Sequence, residues 1–140
     1  MPKRERDALA QVPLFSSLSP RHLRRIADLA EEQRYMEGAR VVRRGDVGDT
    51  FFVILEGEAK VVGPSGRTVN SLRPGEFFGE ISLLDGGPRT ADVVAATPLM
   101  MLALSRKNFL TVLRSEPVVA VSLLAYAAAL LRRVERSTIG

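Results

Sequence analysis

One segment carries residue types that could bind an anionic ligand, and it runs Phe77-Phe78-Gly79-Glu80-Ile81-Ser82-Leu83-Leu84-Asp85-Gly86-Gly87-Pro88-Arg89-Thr90. The part from Glu80 to Leu84 is long enough for one helical turn, whose first N–H groups lack acceptors within the helix. These donors and the dipole of the turn favour an anion. Gly86-Gly87-Pro88 reverses the chain and brings Arg89 back toward the same end. The segment therefore predicts an anion site.

The pair Glu80 and Arg89 narrows the chemistry of this site. A planar guanidinium can make two parallel charge-assisted bonds to a phosphate. A carboxylate beside a phosphate needs a donor of its own, and a sugar hydroxyl would supply one, as for ribose in dinucleotide folds. Gly79 allows the backbone to approach a ligand closely. A structural Glu80–Arg89 salt bridge that braces the loop fits the same spacing, so both interpretations remain open.

Composition excludes most catalytic sites. A length of 140 residues suits one compact domain, and a composition of 46% hydrophobic and 26% charged residues is typical of a globular protein. With no Cys and with His22 as the one His, disulfides, thiolate zinc sites and the usual metal constellations cannot be assembled. We therefore expect no enzyme, no metal and no cofactor. The net charge is +4, but 16 acidic residues are interspersed among the cations, which favours a solvated surface over a nucleic-acid interface.

The N-terminus and the longest apolar stretch indicate where in the cell the protein is located. The charged N-terminus is not followed by the apolar core of a secretory signal. The longest apolar stretch, residues 118–131, has 14 residues with one Ser, which is too short to span a bilayer. We expect a cytoplasmic protein with no membrane segment.

Helices are predicted at both ends of the chain. Residues 5–12 form a short helix, and Ser19 caps the next, with Pro20 at its first position. Two further helices begin after Ser105 and Ser115. The last has an apolar stripe and small residues elsewhere, so it should pack on the barrel and on a second surface. The stripe is Val119, Leu123, Tyr126, Leu130 and Val134.

The middle of the chain has the pattern of a β-barrel. From about residue 33 to 104, short runs rich in Val, Ile and Phe alternate with Gly, Pro and Asp turns. The run 50–55 is apolar on both faces, which predicts a strand covered on both sides. Six short strands suggest an antiparallel sandwich or barrel: residues 40–43, 50–56, 58–62, 67–72, 91–95 and 99–104.

Three segments carry a family resemblance. One segment resembles the phosphate-binding cassette of the cyclic nucleotide-binding domain family: it consists of Phe78-Gly79-Glu80-Ile81-Ser82-Leu83-Leu84, followed by Pro88-Arg89-Thr90-Ala91. The early barrel signature of the family is similar to Gly45-Asp46-Val47-Gly48-Asp49-Thr50-Phe51-Phe52-Val53-Ile54-Leu55-Glu56-Gly57-Glu58-Ala59-Lys60-Val61. The start of the family's domain is similar to Leu14-Phe15-Ser16-Ser17-Leu18. The resemblance covers roughly residues 13–136.

The resemblance implies a mainly β fold with flanking α-helices. We expect an eight-stranded antiparallel jelly-roll (double-stranded β-helix) barrel with N-terminal helices and two C-terminal helices. Residues 1–140 would form one domain. Its parts would be an N-terminal helical segment at 1–32, a barrel at 33–104 containing the cassette at 78–91, and C-terminal helices at 105–140.

The resemblance also implies ligand contacts. Arg89 would pair with the exocyclic oxygens of a cyclic phosphate, to which backbone N–H groups of the cassette would donate. Glu80 and the Gly79 backbone would hold the ribose 2′-hydroxyl. The phosphate contacts would be Ile81, Ser82, Arg89 and Thr90. Thr90 occurs in members that prefer either base, so cAMP is expected over cGMP from family prevalence.

The base contacts are less closely tied to motifs. Val61 and Val69 fall where the family lines its base pocket. Leu130, Arg133 and Val134 are placed by their distance along the last helix, which caps the base in the family. Arg133 could stack on a purine.

Family function implies a non-catalytic sensor in which the last helix moves when ligand binds. Expected partners are the cyclic nucleotide, an unknown effector protein and a second copy through helix 117–136. Residues 130–136 resemble the dimer helix of catabolite activator-type regulators, but only four residues follow Arg136, so we expect no DNA binding by this chain alone. Alternatives are a fragment of a longer transcription regulator, channel or kinase regulatory subunit, or a degenerate structural domain without ligand.

Overall fold

Two four-stranded antiparallel sheets form the centre of the computed structural model, which describes the backbone of residues 3–139 and the side chains of residues 7–136. Its strands are β1 (Glu31–Tyr35), β2 (Arg40–Val42), β3 (Thr50–Glu56), β4 (Ala59–Val62), β5 (Thr68–Leu72), β6 (Phe77–Phe78), β7 (Asp92–Ala95) and β8 (Leu99–Ser105). Its helices are α1 (Lys3–Ala10), α2 (Pro20–Leu29), α3 (Glu80–Asp85), α4 (Arg106–Ser115) and α5 (Pro117–Ile139). One sheet has the order β1-β8-β3-β6 and the other β2-β7-β4-β5.

The central strand β3 divides the apolar interior into two cores. Successive side chains of a strand point to opposite faces. Phe51 and Val53 pack with the helices, whereas Phe52 and Ile54 pack against the second sheet. This confirms the prediction of a strand covered on both sides. It also explains how one sheet can hold the helices on one face and enclose the barrel interior on the other.

The arrangement confirms the predicted fold class, a mainly β jelly-roll of eight antiparallel strands with helices before and after it. The six strands predicted from sequence are present within one or two residues at each end. The sequence pattern missed β1 and β6. The segment Glu31–Tyr35 has no aliphatic residue and pairs with β8 at the edge of its sheet, and β6 is two residues long. Neither presents the alternation that marks a half-buried strand.

Helix caps were predicted well except at the last helix. Ser19 and Ser105 accept from the backbone N–H groups of His22 and Asn108, at 3.4 Å and 3.2 Å. Ser115, predicted to cap α5, is instead the last residue of α4, and its hydroxyl donates to the Thr111 carbonyl. Glu116 separates the two helices in a non-helical conformation because a residue before proline is disfavoured in the α region.

The first helix departs from the sequence prediction, because α1 spans Lys3–Ala10 rather than residues 5–12. The half-buried His22 lies in the first turn of α2, and its Nδ1 is 3.5 Å from Oε2 of the buried Glu116. This contact joins α2 to the junction between α4 and α5.

The long helix α5 leaves the body of the domain along its length. Val119 and Leu123 are buried, whereas Val121, Leu124 and Leu131 are exposed. Residues Pro117–Arg136 make a helix long and apolar enough, by length and composition alone, to cross a membrane, with a mean hydropathy of 1.6. The 14-residue apolar run is by itself too short to span a bilayer, but the helix that contains it continues to Arg136 and is long enough. One such helix is weak evidence for a membrane span.

Candidate functional site

The segment between β6 and β7 folds back on the loop before β3. Gly79 leads from β6 into α3 with a φ of +94°, and Gly86 ends that helix with a φ of +72°. After the reversal, the Arg89 N–H donates to the Asp46 carbonyl at 2.8 Å, and the Arg89 carbonyl accepts from Gly45 at 2.9 Å. These backbone bonds fix where the Arg89 side chain begins.

The Arg89 side chain is buried, with 7% of its surface exposed. Its Nη1 donates to the Gly79 carbonyl at 3.3 Å and its Nη2 to the Thr50 carbonyl at 2.9 Å. Burial lowers the pKa of Arg89, while the negative charges of Asp49 and Glu80 oppose that shift. The buried cation is thus held by carbonyl dipoles. An anion that entered the site would find a guanidinium already oriented.

Two glycines make room for this guanidinium. A Cβ on Gly48 would lie 2.7 Å from Cδ of Arg89 and closer still to Nε and Cζ. A Cβ on Gly79 would lie 2.6 Å from the Thr50 carbonyl oxygen and 2.8 Å from Nη1 of Arg89. Gly79 also has a positive φ, which L side chains rarely adopt. Both positions therefore need glycine while Arg89 occupies its present place.

The Glu80 carboxylate is also buried, at 9% exposure. Its Oε1 accepts from the Tyr126 hydroxyl at 3.2 Å, and its Oε2 has no hydrogen-bond partner among the described residues. Burial raises the pKa of Glu80, partly offset by its own backbone N–H, by Tyr126 and by Arg89. The described side chains include no Glu80–Arg89 ion pair. The interpretation of this pair as a bracing salt bridge is therefore wrong.

Both charged groups line a cavity of about 630 Å³ between the cassette, sheet β2-β7-β4-β5 and α5. Eight residues from the sequence prediction line it: Val61, Gly79, Glu80, Ile81, Ser82, Arg89, Thr90 and Arg133. The Ser82 hydroxyl donates to the Pro88 carbonyl at 3.2 Å, so it braces the reversal of the chain. Ile81 and Thr90 are exposed at the cavity.

Three predicted base contacts lie outside the lining of the cavity. Val69 and Val134 are exposed, at 65% and 62%, and Leu130 is half-buried on α5. Their proposed role in base binding stays a prediction. Leu130 and Val134 could reach the cavity only if α5 moved toward it.

Tyr126 is a site residue that sequence reasoning placed only in an apolar stripe. It lines the cavity, and its ring packs on Phe77 with centroids 5.4 Å apart. Glu80 and burial raise the pKa of Tyr126 to about 12, so the phenol is a donor at neutral pH. A signal was available, because a Tyr in a buried stripe needs a polar partner for its hydroxyl. Nothing in the sequence identified that partner.

No group of three potential metal ligands occurs among the described side chains. The buried polar groups that converge are the Arg89 cation, the Glu80 carboxylate, the Tyr126 phenol and the amino end of a short helix, and Arg133 and Glu76 also line the cavity. This set can bind an anion and a hydroxyl donor side by side.

The Gly79 backbone can be tested against a matched glycine. Gly66 also has a positive φ, +83°, but nothing lies within 4 Å of a Cβ placed there. We expect Gly66→Ala to cost about 1–2 kcal/mol, the usual penalty for a left-handed L residue, and Gly79→Ala to cost clearly more. Urea unfolding followed by circular dichroism measures both. Equal losses would show that the contact of the added Cβ with Thr50 and Arg89 is unimportant.

The raised pKa of Glu80 makes a prediction about stability and pH. The folded protein holds this proton to higher pH than the unfolded chain, so ionisation destabilises the fold as pH rises above about 4. Glu80→Gln, which keeps an oxygen for Tyr126, should therefore be more stable than the parent at about pH 7 and lose this advantage near pH 3. Glu37→Gln, at an exposed carboxylate, is the control and should change little. A less stable Glu80→Gln protein at neutral pH would contradict the argument.

Comparison with known proteins places this geometry in a family. Residues 32–116 match the family profile described as "Cyclic nucleotide-binding domain". The chain is 38% identical over 104 residues to a cAMP-dependent protein kinase regulatory subunit of Colletotrichum orbiculare, covering 74% of this chain and 27% of that protein. It is 35% identical over 127 residues to the cyclic AMP receptor protein of Thermus thermophilus, covering 88% of this chain and 59% of that protein.

A solved structure shares the fold. The regulatory domain of Toxoplasma gondii PKA with cAMP superposes with a TM-score of 0.76 at 28% identity, covering 89% of this chain and 48% of that one. The chain spans less than two thirds of the length of the two curated relatives described above. The family profile nevertheless matches more than half of the chain, at residues 32–116. The chain therefore belongs to the cyclic nucleotide-binding domain family.

Proposed function

We propose that this domain is a non-catalytic sensor that binds a cyclic nucleotide, cAMP in preference to cGMP. The observation that carries the proposal is the pair of buried, mutually unpaired charges on one cavity. Arg89 lacks a carboxylate partner among the described side chains, and Oε2 of Glu80 lacks a donor. Buried charges without partners are costly. A ligand with an anionic phosphate next to a hydroxyl would satisfy both groups.

The positions of the other cassette residues support the same ligand. The phosphate would lie at the amino end of α3 with Ile81, Ser82 and Thr90 around it, and the sugar would lie against Gly79 and Glu80. The base would extend along Val61 toward the sheet. The preference for cAMP is supported by the names of the two curated relatives and by the cAMP-bound regulatory domain. We propose that residues 1–140 act as one such domain, in the cytoplasm.

The signal would leave the site through α5. Leu130 and Val134 lie outside the cavity, whereas Tyr126 and Arg133 on the same helix line it. A ligand that drew the helix across the cavity would bring the outer residues to the base. Such a ligand shifts the equilibrium only by its greater affinity for the closed state. The effector that would sense the movement is a further protein or a second copy of this chain.

The phosphate contact is tested first. Arg89→Ala should weaken cAMP binding by at least about 2 kcal/mol, or roughly 30-fold, because it removes the buried cation that would pair with the phosphate of the ligand. Calorimetric titration with cAMP and then cGMP measures this loss and the base preference. Arg21→Ala removes one exposed cation on α2 and should bind like the parent. A folded parent that binds neither nucleotide would favour the degenerate structural domain, and an Arg89→Ala protein with parental affinity would contradict the proposed site.

The geometry of α5 supports a dimer through residues 117–136. Val121, Leu124, Ala128 and Leu131 are exposed and follow the 3-4-3 spacing of a coiled-coil seam. Val121, Leu124 and Leu131 are 64%, 71% and 67% exposed, so a large apolar surface faces outward. A second α5 with the same spacing would cover it.

The dimer is tested by one charge on that seam. Leu131→Asp should convert a dimer to a monomer in sedimentation velocity, because a buried carboxylate would have no partner there. Met36→Asp, at an 81% exposed position between β1 and β2, is the matched control and should remain dimeric. A monomeric parent, or an unchanged Leu131→Asp dimer, would exclude this interface.

A further inference from the structure

Tyr126 connects the long helix α5 to the cassette through a hydrogen bond. It lies on α5, is half-buried, and donates its hydroxyl to Oε1 of Glu80, the first residue of α3. Its ring packs on Phe77 of β6 at 5.4 Å, with the ring planes tilted by 58°. The packing restricts where the hydroxyl can point. The hydroxyl therefore donates in one defined direction, whereas a mobile side chain could donate in many.

This contact makes the two oxygens of Glu80 unequal. Oε1 is occupied by Tyr126, while Oε2 is buried and has no partner among the described residues. An ionised carboxylate accepts hydrogen bonds at both oxygens. A second donor arriving from the cavity can therefore use Oε2 without displacing Tyr126. The phenol and such a donor would be held by the same carboxylate.

Two physical effects link these donors. The Tyr126 bond fixes the rotation of the carboxylate, which presents Oε2 for a donor in advance. It also favours the charged form of Glu80, which burial disfavours, and Arg89 acts in the same direction. Hydrogen bonds to an ionised group are stronger than those to a neutral one. Two charged groups act on Tyr126 itself: the Glu80 carboxylate raises its pKa, and the Arg133 cation opposes that shift.

We propose that Tyr126 is a positioning residue that orients Glu80 for the hydroxyl donor of the ligand, and that this shared carboxylate couples ligand binding to α5. The inference rests on the proposed function for the identity of the ligand. If Tyr126 only packed against its neighbours, its hydroxyl would contribute equally to the affinity for every ligand. In the proposed role, the contribution of the Tyr126 hydroxyl to affinity depends on whether the ligand carries the sugar hydroxyl.

A cycle of two ligands and two proteins tests this dependence. The full chain and its Tyr126→Phe variant are titrated with cAMP and with 2′-deoxy-cAMP. We expect Tyr126→Phe to weaken cAMP binding about tenfold, the scale of one hydrogen bond to a charged group. It should weaken 2′-deoxy-cAMP binding less than about threefold. Equal losses for both ligands, or no loss for either, would overturn the inference.

Tyr35→Phe is the matched control. Tyr35 is also half-buried, and its hydroxyl donates to Oε1 of Gln33 at 2.8 Å on β1, away from the cavity. The same loss of a phenolic hydroxyl there should leave both affinities unchanged. A loss with Tyr35→Phe that matched the one with Tyr126→Phe would show a general effect on stability and would overturn the inference.

A measurement without ligand separates this inference from the proposed function. The ¹³C signal of the Glu80 carboxyl, assigned by its absence in Glu80→Gln, should titrate at higher pH in Tyr126→Phe than in the parent. An unchanged titration would overturn the role of Tyr126. A parent chain that binds neither nucleotide would contradict the proposed function and the coupling to ligand, and the titration would still decide whether Tyr126 controls the ionisation of Glu80.

Discussion

The burial of the Arg89 guanidinium among backbone carbonyls is the constraint on which the rest of the site depends. Its two bonds, to Gly79 and Thr50, link the start of α3 to the start of β3. The cation crowds a side chain at Gly48 and at Gly79, and it lowers the pKa of Glu80 against the larger, opposite effect of burial. Without this cation the crowding at Gly48 would disappear, whereas Gly79 would still be required by its φ of +94° and by the nearby Thr50 carbonyl oxygen. The buried Arg89 thus accounts for one of the two glycines and for part of the charge of the cavity.

An aromatic cluster joins this site to the helices. Tyr126 packs on Phe77, which packs on Phe51 with centroids 5.4 Å apart, and Phe51 contacts Phe109 of α4 at 5.0 Å and Phe15 at 6.3 Å. Rings in such contacts interlock and resist independent motion. A change in the position of α5 at the cavity would therefore be felt at α4 and at the N-terminal helical segment. The ring contacts thus run without a break from the cavity to the helices on the outside of the domain.

The stability of the domain and its proposed function make opposing demands on the same residues. The Glu80 carboxyl and the Arg89 cation are buried without pairing, and burial disfavours the charged form of each, which lowers the stability of the protein alone. A ligand that pairs with both groups would regain the free energy lost by burying them unpaired, and this gain would favour binding. The interior around them compensates, since β3 is covered on both faces and the helix-side core contains Phe51, Phe109 and Leu83 fully buried.

The sequence by itself determined the features that depend on neighbouring residues. The caps at Ser19 and Ser105, the turn from Gly79 to Arg89 and the doubly covered strand β3 could be predicted because each has a local pattern. The local patterns indicated six strands, and the eight-stranded fold was expected from the family resemblance. The weakly patterned β1 and the boundary at Glu116 could not. Only the tertiary structure showed that Glu80 and Arg89 do not pair, and that Tyr126, 46 residues after Glu80, supplies its hydrogen bond. Contacts between residues so far apart are set by the packing of the sheets and α5, which no local spacing records.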